Sequence, residues 1–362
     1  DATKGVELMT ERMMNWAEKR GLCRMIVINK IDVPGVDLMG VLDQLKLTFG
    51  DAVIPLNLPT KGMTHVIDCY NTEEGESDIM SVSDVHRAFI ERVVEVDDET
   101  MEKYLEQGDA DPSTLHGAVT KALREAHVIP VCFTSAKKLI GLRDFMKVII
   151  RHMPAPNEAN DAQFVDKDGN PYQTQPDKNL PVVAHVFKVV SDPFVGKMSF
   201  FKVVSGKITS DTPAYNSRTE ESERMGKIIT LKGSKQEDAS CIPAGDIGVV
   251  TKLAGIKTGD TVCSAKNPIT LEGIKFPTPC LSMAVKVRKK GDEEKVAASL
   301  LRLLEEDPTI SFVINKETRE QVLSGLGEQH LDVIVSKLKN KFGVEVDLSV
   351  PKVAYRESIR KK

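Results

Sequence analysis

Four consecutive residues, Asn29-Lys30-Ile31-Asp32, carry the donors and acceptors needed to read one purine base. A carboxylate at Asp32 can accept two hydrogen bonds side by side, which suits the N1–H and 2-amino donors of guanine. Adenine offers no such pair. The carboxamide of Asn29 can donate to N7, and the stem of Lys30 can lie along the base face. Selectivity in such a reader comes from the wrong base, because an unpaired buried group costs about 1–3 kcal/mol. Taken alone, the four residues also suit a plain strand-to-turn junction.

A second stretch, Thr134-Ser135-Ala136-Lys137, makes the chemistry more specific. Small residues at Ser135 and Ala136 let backbone N–H groups come close to the base oxygen, and Lys137 follows. Elements at both places must hold these groups together. Cys23 to Ile28 is an apolar run with β-branched residues, and Val128 to Phe133 is another. Both read as buried parallel strands, with the polar residues in the loops at their carboxyl ends, where open α/β sheets bind ligands. Leu142, Phe145, Val148 and Ile149 then recur at helical spacing. Strand, N-K-x-D, strand, S-A-K and amphipathic helix together resemble the late half of a GTPase domain.

Composition sets the frame. The 362 residues are 41% hydrophobic and 28% charged, with a net charge of -4. Two or three domains are expected at this length. The charge excludes a basic tail and a disordered acidic chain, so any RNA contact must come from local patches. The six cysteines, Cys23, Cys69, Cys132, Cys241, Cys263 and Cys280, contain no C-x-x-C pair. That speaks against a zinc site or a disulfide framework and for a reducing, cytoplasmic setting. There is no apolar run long enough to span a membrane and no signal peptide, so no membrane partner is expected.

The chain then divides by pattern. Residues 5–20 form an amphipathic helix (Val6, Leu8, Met9, Met13, Met14, Trp16, Ala17) ending at Gly21, and its methionine stripe reads as core. Asp37 to Phe49 is a second helix. Residues 51–126 look like an insertion between the two base-reading strands. It holds short alternating stretches, helix-like segments and an acidic run (Glu95, Asp97, Asp98, Glu99, Glu102) that is either a solvated face or a dock for a basic partner. The first domain is thus expected over 1–155, followed by a Pro- and Asp-rich linker over 156–179. Residues 180–268 read as a small closed β-barrel of six strands, one of them running from Glu223 to Leu231. Residues 277–352 follow the order β-α-β-β-α-β, a ferredoxin-like split unit. The expected fold class is a multi-domain α/β plus β plus α+β chain.

A guanine-reading α/β half, a barrel and a split βαβ unit in this order resemble the elongation factor G family of translational GTPases. The stretches that carry the resemblance include Asp192-Pro193-Phe194-Val195-Gly196-Lys197, Ala244-Gly245-Asp246-Ile247 and Thr258-Gly259-Asp260-Thr261. In the last domain they are Glu306-Asp307-Pro308-Thr309, Gly325 to Leu331 (Gly-Leu-Gly-Glu-Gln-His-Leu), and Pro351 to Glu357 (Pro-Lys-Val-Ala-Tyr-Arg-Glu). The resemblance implies a ribosome-associated GTPase that uses GTP hydrolysis for tRNA–mRNA translocation or ribosome recycling. It implies GTP or GDP with Mg²⁺ as the intact protein's ligands, and guanine nucleotide and the ribosome as its partners. Asn29, Lys30, Asp32, Ser135, Ala136 and Lys137 would form its base-binding site. Lys197, Lys202 and Lys207, with Arg288, Lys289 and Lys290, would meet rRNA phosphates. A monomer is expected.

The family's phosphate-binding loop, first switch and catalytic histidine precede the N-K-x-D motif, and its fourth and fifth domains follow the third. Residues 353–362 would begin the connection to the fourth. An internal fragment is therefore expected, inactive alone, holding no cofactor, and with GDP affinity too weak to detect. His330 is expected to be structural. Phe133-Thr134 before the Ser-Ala pair and Glu328-Gln329-His330 depart from the family pattern and suggest a paralogous branch. The rival readings are a non-catalytic ribosome- or RNA-binding scaffold, and a ribosome-protection or release-factor GTPase.

Overall fold

In the computed structural model the chain forms two compact units, residues 1–160 and 161–362. The structure describes residues 1–96, 98–107, 115–158, 164–166, 168–172, 174–192, 195–251, 253–355 and 357–359.

The first unit runs α1 (Leu8–Lys19), β1 (Ile26–Ile28), α2 (Leu38–Phe49), β2 (Val53–Pro55), β3 (Asn57–Thr60), β4 (His65–Asp68), α3 (Val82–Val94), α4 (Asp98–Gln107), α5 (His116–Arg124), β5 (Ile129–Phe133) and α6 (Leu142–His152). Strand β5 is central: β1 pairs with it in parallel on one side and β2 on the other. Its residues alternate between two cores. Ile129, Val131 and Phe133 pack with Leu38, Leu42 and Leu45 of α2 and Met14 of α1. Cys132 and the preceding Val128 pack with Phe89 and Val93 of α3, Leu123 of α5 and Val148 of α6. Burial on both faces is why these strands read as unbroken apolar runs. Each such side chain contributes roughly 1.5–3 kcal/mol when removed from water. Helix α2 starts where the Asp37 carboxylate accepts from the Gly40 N–H at 2.9 Å and stops at Gly50, whose φ is +86°.

Two expectations are corrected here. Val53–Pro55 belongs to the parallel sheet, so the inserted segment leaves it only at Asn57. A three-residue strand buried throughout offers no alternation to mark it. The methionine stripe of α1 is not core. Met14 is buried, but Leu8, Met9, Met13 and Trp16 are exposed. Thr10, Met13 and Met14 of α1 line one hollow with Ile26, Val27 and Ile28 of β1, and among the described residues β1 is at the edge of its sheet.

The second unit opens with β6 (Phe164–Asp166) and β7 (Pro171–Tyr172), and continues with β8 (Val183–Asp192), β9 (Gly196–Ser205), β10 (Lys207–Ile208), β11 (Pro213–Asn216), β12 (Glu221–Arg224), β13 (Ile228–Lys232), β14 (Lys235–Asp238), β15 (Ile242–Pro243), β16 (Ile247–Thr251), β17 (Thr261–Cys263) and β18 (Ile269–Thr270). Eight of these form one antiparallel sheet in the order β12-β11-β17-β8-β9-β16-β13-β14, with one main core and two smaller apolar clusters. The run from Glu223 to Leu231 is two strands rather than one, because Gly226 turns the chain at φ +65°. No ladder joins β12 to β14 among the described residues, so the hydrogen-bonded circuit is open.

The chain ends with β19 (Leu281–Val287), α7 (Glu293–Glu306), β20 (Ser311–Ile314), β21 (Gln321–Gly325), α8 (Glu328–Phe342) and β22 (Val346–Ser349). The strands form an antiparallel sheet in the order β20-β21-β19-β22. Both helices pack on it through Val296, Leu300, Leu303, Leu331, Ile334 and Leu338.

Candidate functional site

The two base-reading loops lie side by side because their strands are neighbours. In the register of β1 and β5, Ile28 stands opposite Phe133. The ladder then continues into the loops. Thr134 N–H donates to Ile28 O at 2.8 Å, and Ile31 N–H donates to Thr134 O at 3.3 Å. Lys30 takes a left-handed backbone conformation, φ +71°, which turns the chain back within one residue. Residues far apart in sequence thus come within hydrogen-bonding reach. Asn29 Oδ1 accepts from the Ala136 N–H at 2.9 Å and from Thr134 Oγ1 at 3.5 Å. With its oxygen turned into the loop, the carboxamide has its NH₂ as the group left to donate outward.

Asp32 is partly exposed, and its acidity is set by the second loop. The hydroxyl of Ser135 hydrogen-bonds to the carboxylate, and together with the nearby Lys138 and Lys137 ammonium groups it holds the Asp32 carboxyl below the usual carboxylate range, against some desolvation. The group is ionised at neutral pH, the state that can accept two hydrogen bonds. Ser135 Oγ also accepts from the Lys138 N–H at 3.1 Å, which fixes its rotamer. The Ser135 N–H is taken by Ile140 O at 2.9 Å, and the Ala136 N–H by Asn29. The backbone donors are therefore more engaged than the small Ser-Ala pair suggests. An acceptor on the base must share the Ala136 N–H or take that of Lys137.

Sequence reasoning missed the residues that hold this arrangement. Asn57, 1% exposed, donates from Nδ2 to Phe133 O at 3.1 Å and accepts the Phe133 N–H on Oδ1 at 2.6 Å. Gly141 sits over the same carbonyl. A Cβ there would lie 2.5 Å from Phe133 O, and its φ is +68°. At the other end, Ala2 N–H donates to Asn29 O at 2.9 Å, and the Asp1 carboxylate pairs with the Lys30 ammonium. Only Gly141 had a local signal, a glycine directly before an amphipathic run. Thr134, a departure from the family pattern, reaches Asn29 through its hydroxyl.

The expected phosphate-contacting cations fall into two groups. Lys197, 13% exposed, spends its ammonium on Ala254 O at 3.0 Å and on Glu305 at 3.7 Å. Arg288 pairs with Asp347 at 2.7 Å and Glu345 at 3.2 Å. Lys202, Lys207, Lys289 and Lys290 are exposed and make no ion pair among the described residues. His330 is a structural tie: Nδ1 accepts from the Leu326 N–H at 3.1 Å, which leaves the Nε2 proton to donate to Asp307 at 2.9 Å. In the acidic run, Glu95 pairs with Arg92 at 3.5 Å, and Asp97 lies outside the described residues. Among the described residues no cluster of three or more His, Cys, Asp or Glu is arranged to hold a metal ion, and no helix is long and apolar enough to cross a membrane.

Three family models match successive parts of the chain. The family model for the elongation factor Tu GTP-binding domain matches residues 1–155. That for elongation factor G domain 2 matches 181–265, and that for elongation factor G domain III matches 276–350. Elongation factor G of Fervidobacterium nodosum is 35% identical over 380 aligned residues, which take in all of this chain and 55% of that protein. The Thermotoga maritima protein of the same name is 34% identical over 381, again all of this chain and 55% of the relative. The chain thus spans about half the length of these relatives. A crystal structure of a Thermus thermophilus protein superposes with a TM-score of 0.81 at 29% identity, covering 99% of this chain and 54% of the other.

Proposed function

The chain belongs to the elongation factor G family of translational GTPases, and from that premise we propose that it supplies the base-reading half of a guanine-nucleotide site in a ribosome-associated GTPase. One observation carries the reading: the Asn29 carboxamide and the Asp32 carboxylate are each held by the second loop, through the Ala136 N–H and the Ser135 hydroxyl. A base seated between the loops meets a fixed pair of carboxylate oxygens on its N1–H and 2-amino edge. It meets the Asn29 NH₂ near N7 and the backbone N–H groups of Ala136 and Lys137 near its oxygen. The stem of Lys30 covers one face, with its ammonium on Asp1.

The intact protein couples GTP hydrolysis, with Mg²⁺ on the phosphates, to tRNA–mRNA translocation or ribosome recycling in the cytoplasm. The Mg²⁺ and phosphate chemistry belongs to residues outside this set. We read the eight-stranded sheet as the barrel domain of such factors. The four-stranded sheet we read as their ferredoxin-like domain, since its strand order is that of a split βαβ unit. Lys202, Lys207, Lys289 and Lys290 are the cations best placed to meet rRNA phosphates, in a salt-dependent contact. The test of the base reading exchanges the Asp32 carboxylate for an amide and asks whether nucleotide preference moves from GDP to XDP.

A further inference from the structure

We infer that Asn57 is a positioning residue for guanine selectivity: its buried carboxamide fixes where Ser135, Ala136 and Lys137 stand relative to the base. This rests on the guanine reading above. In the central strand β5, alternate residues direct both backbone groups to the same neighbour. Cys132 and Thr134 face β1, and Thr134 is tied through its N–H to Ile28, the last residue of β1, and through its C=O to Ile31 of the N-K-x-D loop. Val131 and Phe133 face β2. Strand β2 ends too early to serve them both: Pro55 is opposite Val131, and the Leu56 N–H donates to Val131 O at 2.8 Å. Beyond Leu56 the chain leaves for the β3–β4 hairpin. The Phe133 N–H and C=O would then be buried without partners, which folded proteins seldom tolerate.

Asn57 supplies both partners from one side chain, at 2.6 and 3.1 Å. Its carboxamide imitates the missing strand residue. Gly141 closes the opposite flank, since any side chain there would strike Phe133 O. The Phe133 peptide is thus clamped two residues before Ser135, the residue that orients Asp32, and three before the N–H that binds Asn29. A sideways shift of the end of β5 moves Ser135 Oγ and the Ala136 N–H together, away from both base-reading side chains. Asn57 is also the first residue of the inserted segment after β2, so one side chain joins the root of that segment to the base loop.

The test uses the full-length protein, with Asn57→Ala and Asn57→Asp compared against the parent. The probes are GDP and the diphosphate of 2-aminopurine riboside, which lacks both the base oxygen that the loop N–H groups face and the N1–H that Asp32 reads, and keeps only the 2-amino group. In the parent, GDP binds more tightly. In Asn57→Ala we expect GDP to weaken by about tenfold while the analogue changes by less than about twofold, so that the ratio collapses. Asn57→Asp keeps the acceptor for the Phe133 N–H but loses the donor, and should fall between. Equal weakening of both nucleotides, or an unchanged ratio with only a lower Tm, would make Asn57 a packing residue and overturn the inference. If Asn57→Ala does not fold, Asn57→Ser is read in the same way. A parent that does not distinguish GDP from ADP would instead remove the guanine reading itself, whatever Asn57 does.

Discussion

The base-reading loops of the first unit and the cationic residues of the second were both candidates for contact with a phosphate-bearing partner, and the structure treats them differently. The loops converge. Asn29, Asp32, Ser135 and Ala136 meet through hydrogen bonds that continue the β1–β5 ladder, and each polar group has a set direction. The cations scatter. Lys197 is drawn into the second unit by Ala254 and Glu305, where the neighbouring Glu306 also binds Lys341 and the Ser191 N–H. Arg288 is occupied by two acids. Functional groups placed by adjacent parallel strands inherit the register of the sheet. Surface lysines inherit nothing and are free to be captured by the nearest carboxylate.

The contrast can be broken first at Gly141. An alanine there must hold φ near +68° and place its Cβ 2.5 Å from a backbone carbonyl. Gly141→Ala should destabilise the first unit by roughly 3 kcal/mol and weaken GDP binding with it. Gly169, in the β6–β7 turn, has φ +82° but open space around it. Gly169→Ala should cost only about 1 kcal/mol, from the backbone conformation alone. Thermal melts of the two variants check this, and equal losses would mean that the crowding at Phe133 is relaxed in solution.

Acid should separate the units next. Burial pushes the His152 imidazole, tilted against the Tyr70 ring with centroids 4.2 Å apart, down to about 4. Its unfolded value is near 6.5, so the unfolded chain binds more protons between the two values. Stability of the first unit is therefore complete above about pH 6.5 and is lost as pH falls towards 4, by roughly 1–2 kcal/mol at pH 5. In the second unit the Asp260 carboxyl has the opposite sign. Burial works to raise its value, but Arg218, the Lys257 N–H and Asn216 hold it below 3.8. That stability is present above 3.8 and lost only as pH falls further. Limited proteolysis across a pH series should open the first unit first. Simultaneous opening would contradict the assignment.

The smallest effect expected concerns the cations. Under the proposed function, Lys289→Ala and Lys290→Ala should each flatten the salt dependence of the proposed ribosome binding, by about one unit of slope for each phosphate that is no longer neutralised. Lys197→Ala and Arg288→Ala should leave the slope unchanged, with Lys197→Ala costing at most about 1 kcal/mol of stability. A fall in slope for Lys197→Ala would put that residue back among the phosphate contacts.

What the sequence disclosed follows the range of each interaction. The N-K-x-D and S-A-K stretches are contiguous and follow apolar strands, so the strand–loop context of the candidate site was legible. So was the β-α-β-β-α-β order of the last part. Three things were not. Asn57 pairs with Phe133 across the whole inserted segment, and an asparagine between leucines carries no mark of that partner. The three residues of β2 have no alternation, so the edge of the insertion fell in the wrong place. The capture of Lys197 needs Ala254 and Glu305, which only the folded second unit brings near. Gly226 is different: its split of the long strand was readable as a turn signal within a β-rich run.

The proposed function stands or falls on Asp32 reading the N1–H and 2-amino edge of guanine. Equilibrium binding of GDP and XDP to the full-length protein, parent and Asp32→Asn, measures that reading. Xanthine carries an oxygen where guanine carries its 2-amino group, so an amide can donate to it and a carboxylate cannot. The parent should prefer GDP and Asp32→Asn should prefer XDP, with each mismatched pair weakened by about tenfold or more. An Asp32→Asn protein that keeps its preference for GDP, or a parent that binds both equally, would refute the guanine assignment.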